Sequence, residues 1–229
     1  MTTNFPSIDF DLDLPAALVV IDLQPCGVDP RFGLAKALET GSPGFTRYLV
    51  ERMRSTVTPA VNALLGAFHE AGQPVYFTAF ASATGDGRDV ITASIRKRNA
   101  ERLARTGSPV VLPRTDPSTD ITAGLDRRPE DRILVKQSMD AFPTTDLGSD
   151  LAARSVRSVV VCGVYTDACV ESTSRTAAEL GYPVFVVEDA CAAWKPEYHV
   201  KSLENLGRYF ARIASSGDVI RLLADRTRA

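Results

Sequence analysis

The chain has 229 residues, 45% of them hydrophobic and 24% charged, with a formal net charge of -2. That length and apolar content suffice for one sizeable core, so a single domain spanning 1–229 is expected. The near-neutral balance leaves no electropositive field to hold a nucleic-acid backbone or an anionic membrane surface, and a small molecule is the expected partner.

In chain order, residues 1–15 are acidic and lack the basic and apolar regions of a signal peptide, and no apolar run in the chain reaches membrane-spanning length. A cytoplasmic location is expected. Ala16 to Ile21 is a continuous apolar run rich in β-branched residues, the pattern of a strand covered on both faces, and it stops at Asp22. A helical pattern follows from Tyr48 to Ala71, ending at Gly72, then a strand over Pro74 to Phe77. Between Phe80 and Arg132 the alternation is interrupted by Gly85-Asp86-Gly87-Arg88, a basic stretch at Arg96-Lys97-Arg98 and a Pro/Asp/Thr-rich passage from Pro113 to Asp120. This excursion is read as one helix, Asp89 to Arg105, and otherwise loop, in the role of a lid, a binding loop or a subunit contact. Strands then recur at Arg132 to Val135, Ser158 to Cys162, Pro183 to Val187 and, more weakly, Ala211 to Ala214. Helices intervene at Thr145 to Ala153, Asp167 to Leu180 and Glu197 to Tyr209, with a last one from Gly217 to Leu223. The alternation predicts an α/β protein, a three-layer α/β/α sandwich around a six-stranded, mainly parallel sheet, with ligands bound at the carboxyl ends of the strands.

Cys26, Cys162, Cys169 and Cys191 show neither CxxC pairing nor the density of a disulfide scaffold, so reduced thiols are expected. The two histidines, His69 and His199, sit in no metal-binding spacing. Neither a metal, another cofactor nor a Cys-His couple is expected. Asp22, Lys136 and Cys169, by contrast, each follow a predicted strand, so a parallel sheet would project all three from one edge. A carboxylate, an ammonium and a thiol can move a proton and stabilise a thiolate without histidine. Cys169 falls where a strand turns through Gly163 into a helix, where free N–H groups and the positive end of the dipole would lower its pKa. Each residue taken singly also has an ordinary reading: a buried cysteine, a turn-forming aspartate, a surface lysine.

The blocks Val19-Val20-Ile21-Asp22-Leu23-Gln24, Val135-Lys136-Gln137-Ser138-Met139-Asp140-Ala141-Phe142 and Gly163-Val164-Tyr165-Thr166-Asp167-Ala168-Cys169-Val170 resemble, in order and spacing, the isochorismatase-like hydrolase superfamily. The resemblance covers about 18–222 and is least recognisable over 80–132. It implies the family's six-stranded fold and its catalytic Asp, Lys and Cys at Asp22, Lys136 and Cys169. It also implies a cis peptide between Val164 and Tyr165 and an oxyanion hole formed by the N–H groups of Tyr165 and Cys169.

Two departures narrow the expected chemistry. The metal-binding Asp-x-His cluster of nicotinamidase-like members has no counterpart here, and Cys169 is present, whereas members that cleave the vinyl ether of isochorismate usually lack that cysteine. The expectation is therefore C–N hydrolysis of a small amide, ureido or carbamoyl compound through a thioester, as in N-carbamoylsarcosine, ureidoacrylate, biuret or maleamate amidohydrolases. Vinyl-ether hydrolysis and a non-catalytic oligomeric binding protein are the alternatives. Gln24, Phe32, Arg88 and Trp194 are candidates for substrate contact, Arg88 as a carboxylate clamp. A homo-oligomer, dimer or tetramer, is expected.

Overall fold

The computed structural model describes residues 8–228, so part of the acidic 1–15 segment and Ala229 lie outside the described residues. Six strands form one parallel sheet: β1 (Ala16–Ile21), β2 (Val75–Phe80), β3 (Arg132–Lys136), β4 (Ser158–Val164), β5 (Val184–Ala192) and β6 (Arg212–Ala214). Their spatial order is β3-β2-β1-β4-β5-β6. β1 and β4 are buried at every position, which is why β1 reads as an unbroken apolar run and β4 as one after Ser158.

The helices are α1 (Pro25–Val28), α2 (Gly33–Gly41), α3 (Arg47–Arg52), α4 (Thr58–Glu70), α5 (Ala93–Thr106), α6 (Leu147–Ala153), α7 (Glu171–Glu179), α8 (Pro196–Tyr209) and α9 (Ser216–Arg228). α4 and α9 pack together against the sheet, while α7 and α8 pack together over β5 and β6, giving helices on both sides. The chain builds outward from β1 to β3, then crosses back to start β4 on the other side of β1. The crevice between the carboxyl ends of β1 and β4 is thus the switch point where such sheets bind ligands.

The long helix expected over 48–71 is α3 and α4 joined by a wide π-type turn, Met53–Val57. Pro59, in the first turn of α4, supplies no N–H, and the wider turn precedes that missing donor. In the excursion, α5 begins at Ala93 rather than Asp89. The Asp89 carboxylate instead accepts hydrogen bonds from the Ser82 hydroxyl, the Ala83 N–H and the Thr84 hydroxyl, organising the loop before the helix. Asn99, 1% exposed, then staples both arms of the excursion to α5, donating to the Asp86 carbonyl and accepting from the Val111 N–H.

The carboxyl end of β4 carries the fold's closest backbone approach. Gly163 has φ 113°, and a Cβ there would lie 2.1 Å from the Ile21 carbonyl oxygen of β1. Only glycine fits, and next to it the register between β4 and β5 shifts between Val161 and Gly163.

Candidate active site

Three strand ends converge at this crevice. Asp22 leaves β1 with φ 49°, a left-handed turn that aspartate tolerates better than most residues. Its Oδ1 accepts a hydrogen bond from the Thr78 hydroxyl of β2 at 2.6 Å. Its Oδ2 lies 2.8 Å from Lys136 Nζ and has no other polar partner among the described residues.

Lys136 ends β3, two strands away, and is fully buried. Its side chain reaches Asp22 by crossing the end of β2, where Nζ stands 4.4 Å from the centroid of the Phe80 ring. Nζ also donates to the carbonyls of Ser138 at 2.8 Å and Met139 at 3.0 Å. Burial opposes the ammonium, but the Asp22 carboxylate and hydrogen bonding to Asp22 and Cys169 outweigh it and the Lys136 pKa is raised. Lys136 is therefore a fixed cation. Lys136→Met, which keeps the bulk and removes the charge, should leave the Asp22 carboxylate buried without its counter-ion and cost about 3–5 kcal/mol. Urea denaturation measures the loss.

Cys169 lies in the five-residue turn Thr166–Val170 that leads from β4 into α7, and it is 5% exposed. Burial pushes its thiol up to about 12, with Lys136 opposing and Asp22 reinforcing the rise. The low thiol pKa expected from the helix end is not what the structure shows. A helix dipole is worth about 1 kcal/mol, too little to offset loss of solvation beside a carboxylate. The resting thiol is protonated.

Asp22 and Cys169 open onto a cavity of about 120 Å³. Gln24, Cys26, Gly27 and Leu34 line it after β1, Phe80 and Met139 line it near Lys136, and Val164, Tyr165 and Ala168 line it around β4. The excursion supplies Ile95, Val110, Val111 and Leu112. The Val164–Tyr165 peptide is cis. The Tyr165 hydroxyl donates to the Gly27 carbonyl at 2.6 Å, pinning α1 to the site.

The residues proposed for substrate contact divide. Gln24 lines the cavity, but its amide bridges the excursion to the sheet, accepting from the Phe80 N–H at 2.8 Å and donating to the Thr119 carbonyl at 2.5 Å. Phe32, Arg88 and Trp194 do not line it. Phe32 flanks the start of α2, is 40% exposed and borders a separate open groove. Arg88 lies in a glycine-flanked turn, its side chain 77% exposed and 3.6 Å from Asp86. Trp194 stands behind the wall, its ring 4.7 Å from Tyr165 and 5.6 Å from Phe45. Among the described residues no three His, Cys, Asp or Glu side chains gather as a metal site.

The isochorismatase domain matches the chain over residues 16–218. The chain belongs to the isochorismatase family. The uncharacterised isochorismatase family protein YecD of Escherichia coli O157:H7 is 31% identical over 207 residues, 90% of this chain and 95% of that protein. Ureidoacrylate amidohydrolase RutB of Acinetobacter baylyi is 28% identical over 210 residues, 87% of this chain and 80% of that protein. In fold, a cysteine hydrolase from Pseudomonas syringae pv. phaseolicola 1448A superposes with a TM-score of 0.76 at 23% identity, covering 98% of this chain and 100% of the other.

Within this isochorismatase-family fold, further residues support the site. Thr78 faces Asp22 from β2, and Cys26 lines the cavity. Behind Cys169, His199 contacts the Thr166 hydroxyl through Nδ1 at 2.8 Å and Arg52 through Nε2 at 3.0 Å. Because the guanidinium can only donate, Nε2 accepts and Nδ1 carries the hydrogen it gives to Thr166. The Ser202 hydroxyl adds a bond to the Thr166 carbonyl at 2.9 Å, so the turn bearing Cys169 is tied to α8.

Burial, helped by Arg52, lowers the His199 pKa from 6.5 to about 3. Between those values the unfolded chain binds a proton that the folded chain excludes, so this contribution to stability is lost as pH falls through the window. The expected slope is up to about 1.4 kcal/mol per pH unit. Urea midpoints across that range should fall less steeply in His199→Gln than in the parent.

Proposed function

We propose that the chain is a cysteine-dependent hydrolase of a C–N bond in a small amide, ureido or carbamoyl compound. The observation that carries this reading is the convergence of a protonated, buried thiol with a carboxylate whose Oδ2 is held by one cation and open to a proton. The ureidoacrylate amidohydrolase relative supports C–N chemistry.

As Cys169 Sγ bonds to the substrate carbonyl carbon, its proton passes to Asp22 Oδ2. The developing oxyanion is held by the N–H groups of Tyr165 and Cys169. The tetrahedral adduct collapses, the C–N bond breaks, and Asp22 returns the proton to the departing ammonia or amine. Water then adds to the thioester with Asp22 as its base. The acid leaves, and the proton returns to Sγ. Lys136 holds the Asp22 carboxyl group in place, and the largely apolar walls limit water to what the second step needs.

The test is ammonia release from a panel of small primary amides and ureas, with intact mass measured after rapid acid quench. Release accompanied by an acyl adduct on Cys169 is expected. Release with no adduct under conditions that trap a thioester would replace the covalent route with direct attack by water.

A further inference from the structure

Resting on that reading of the reaction, we infer that the substrate's non-reacting end is uncharged and apolar, and that the 80–132 excursion writes this preference. Substrates whose far end is a carboxylate are excluded by the chemistry of the cavity.

The walls are largely apolar, with Leu34, Ile95, Val111 and Leu112 beside Phe80 and Met139, and Asp22 is the one charged side chain among the lining residues described. A carboxylate entering here would meet no cation. Lys136 does not answer it, because Nζ is fully buried, donates to two carbonyls and faces Asp22. Nor do the polar side chains of the wall. The Gln24 amide is engaged by Phe80 and Thr119, and the Tyr165 hydroxyl spends its hydrogen on Gly27. Arg96, next to Ile95, donates to the Val90 and Ile91 carbonyls, Arg114 pairs with Asp120, Arg31 pairs with Asp29, and Arg88 faces solvent beside Asp86. A carboxylate would therefore lose its hydration without replacement and would sit in the field of Asp22, whereas an alkyl group would gain from leaving water.

The excursion decides this. Ile95 from α5 and Val110, Val111 and Leu112 from the returning loop form the excursion's side of the cavity. Their position is fixed by Asn99 and by the bridge between Ser82 and Pro113. A site for an anionic acyl or ureido compound would need a cation somewhere on this stretch, and no arginine or lysine of it is among the lining residues.

The experiment compares near-isosteric pairs in which an isopropyl group replaces a carboxylate: isocaproamide with succinamate, and isobutylurea with hydantoate. Ammonia release is measured with the parent enzyme, and binding is measured on the Cys169→Ala protein by ligand-observed NMR. The neutral member of each pair should be favoured on the order of 100-fold in kcat/KM and should be the one that binds. Ile95→Arg, at a half-exposed helix position, should raise kcat/KM for the carboxylated members by roughly tenfold or more and not for the neutral ones. Neutral binding without ammonia release from any compound would retire the C–N reading and leave the pocket assignment standing. Carboxylated members that bind as well as or better than their partners would overturn the inference whatever the hydrolysis shows, and so would failure of both neutral compounds to bind.

Discussion

Cys169→Ala should lower turnover of the true substrate by roughly 10⁴-fold or more while leaving the fold intact. The loss is large because, in the proposed route, the thiol sulfur forms the covalent bond and no other side chain of the cavity can take its place. Cys26 also lines the cavity, but burial and the charges of Asp22 and Asp116 push its thiol up to about 12, and no cation offsets them. The fold should survive because alanine removes one small buried atom, while Asp22, Lys136 and Thr78 keep the contacts they make with one another. The check is kcat/KM beside a thermal melt. Cys169→Ala with near-parent turnover and an unchanged melt would end the covalent mechanism, and if the substrate then proved to be a vinyl ether, the cysteine-independent chemistry of the family would replace it.

The ease with which the sheet could be read from the sequence has a physical origin. β1 and β4 are buried on both faces, and that demand leaves Ser158, at the first position of β4, as the one polar side chain in either run, so their ends are sharp. Sharp strand ends in a parallel sheet locate a site, which placed Asp22, Lys136 and Cys169 on one edge. α1 and α2 were illegible because Pro25, Gly27, Pro30 and Gly33 are turn residues, and short helices there exist by packing and by the Tyr165 bond to Gly27. The fates of Phe32, Arg88 and Trp194 were hidden for a related reason. Distance along the chain from a strand end says little about which way a loop side chain faces, and here one is outward, one solvated and one a layer behind the wall. The ionisation of Cys169 was misjudged because a helix-end argument counts the dipole but cannot count lost solvation, which only the folded structure sets. The excursion contributes apolar residues to the cavity wall, whereas its visible sequence signal was a basic run that is absent from the lining.

Asp22→Asn should slow turnover by roughly 10²- to 10⁴-fold and at the same time make Cys169 easier to ionise. The two effects pull apart because Asp22 has two opposing influences on the thiol. As a neighbouring negative charge it helps push the pKa up to about 12; as an open Oδ2 it is the group able to take the proton when the carbon–sulfur bond forms. Asparagine keeps the shape and can still accept from Thr78 through its carbonyl oxygen, but it removes both the charge and the base. It also frees the full field of Lys136, which lowers the thiol pKa. Alkylation of Cys169 by iodoacetamide at neutral pH should therefore quicken in the variant while kcat/KM falls. If the enzyme worked from a standing thiolate, the two readouts would rise together, and that result would remove Asp22 from the role of base. Lys136→Met supplies the opposite sign, since losing the cation takes away the one influence that draws the thiol pKa down from its buried value. Alkylation should then slow, so two variants that both impair turnover would move the nucleophile's reactivity in contrary directions, which damage to the fold would not produce.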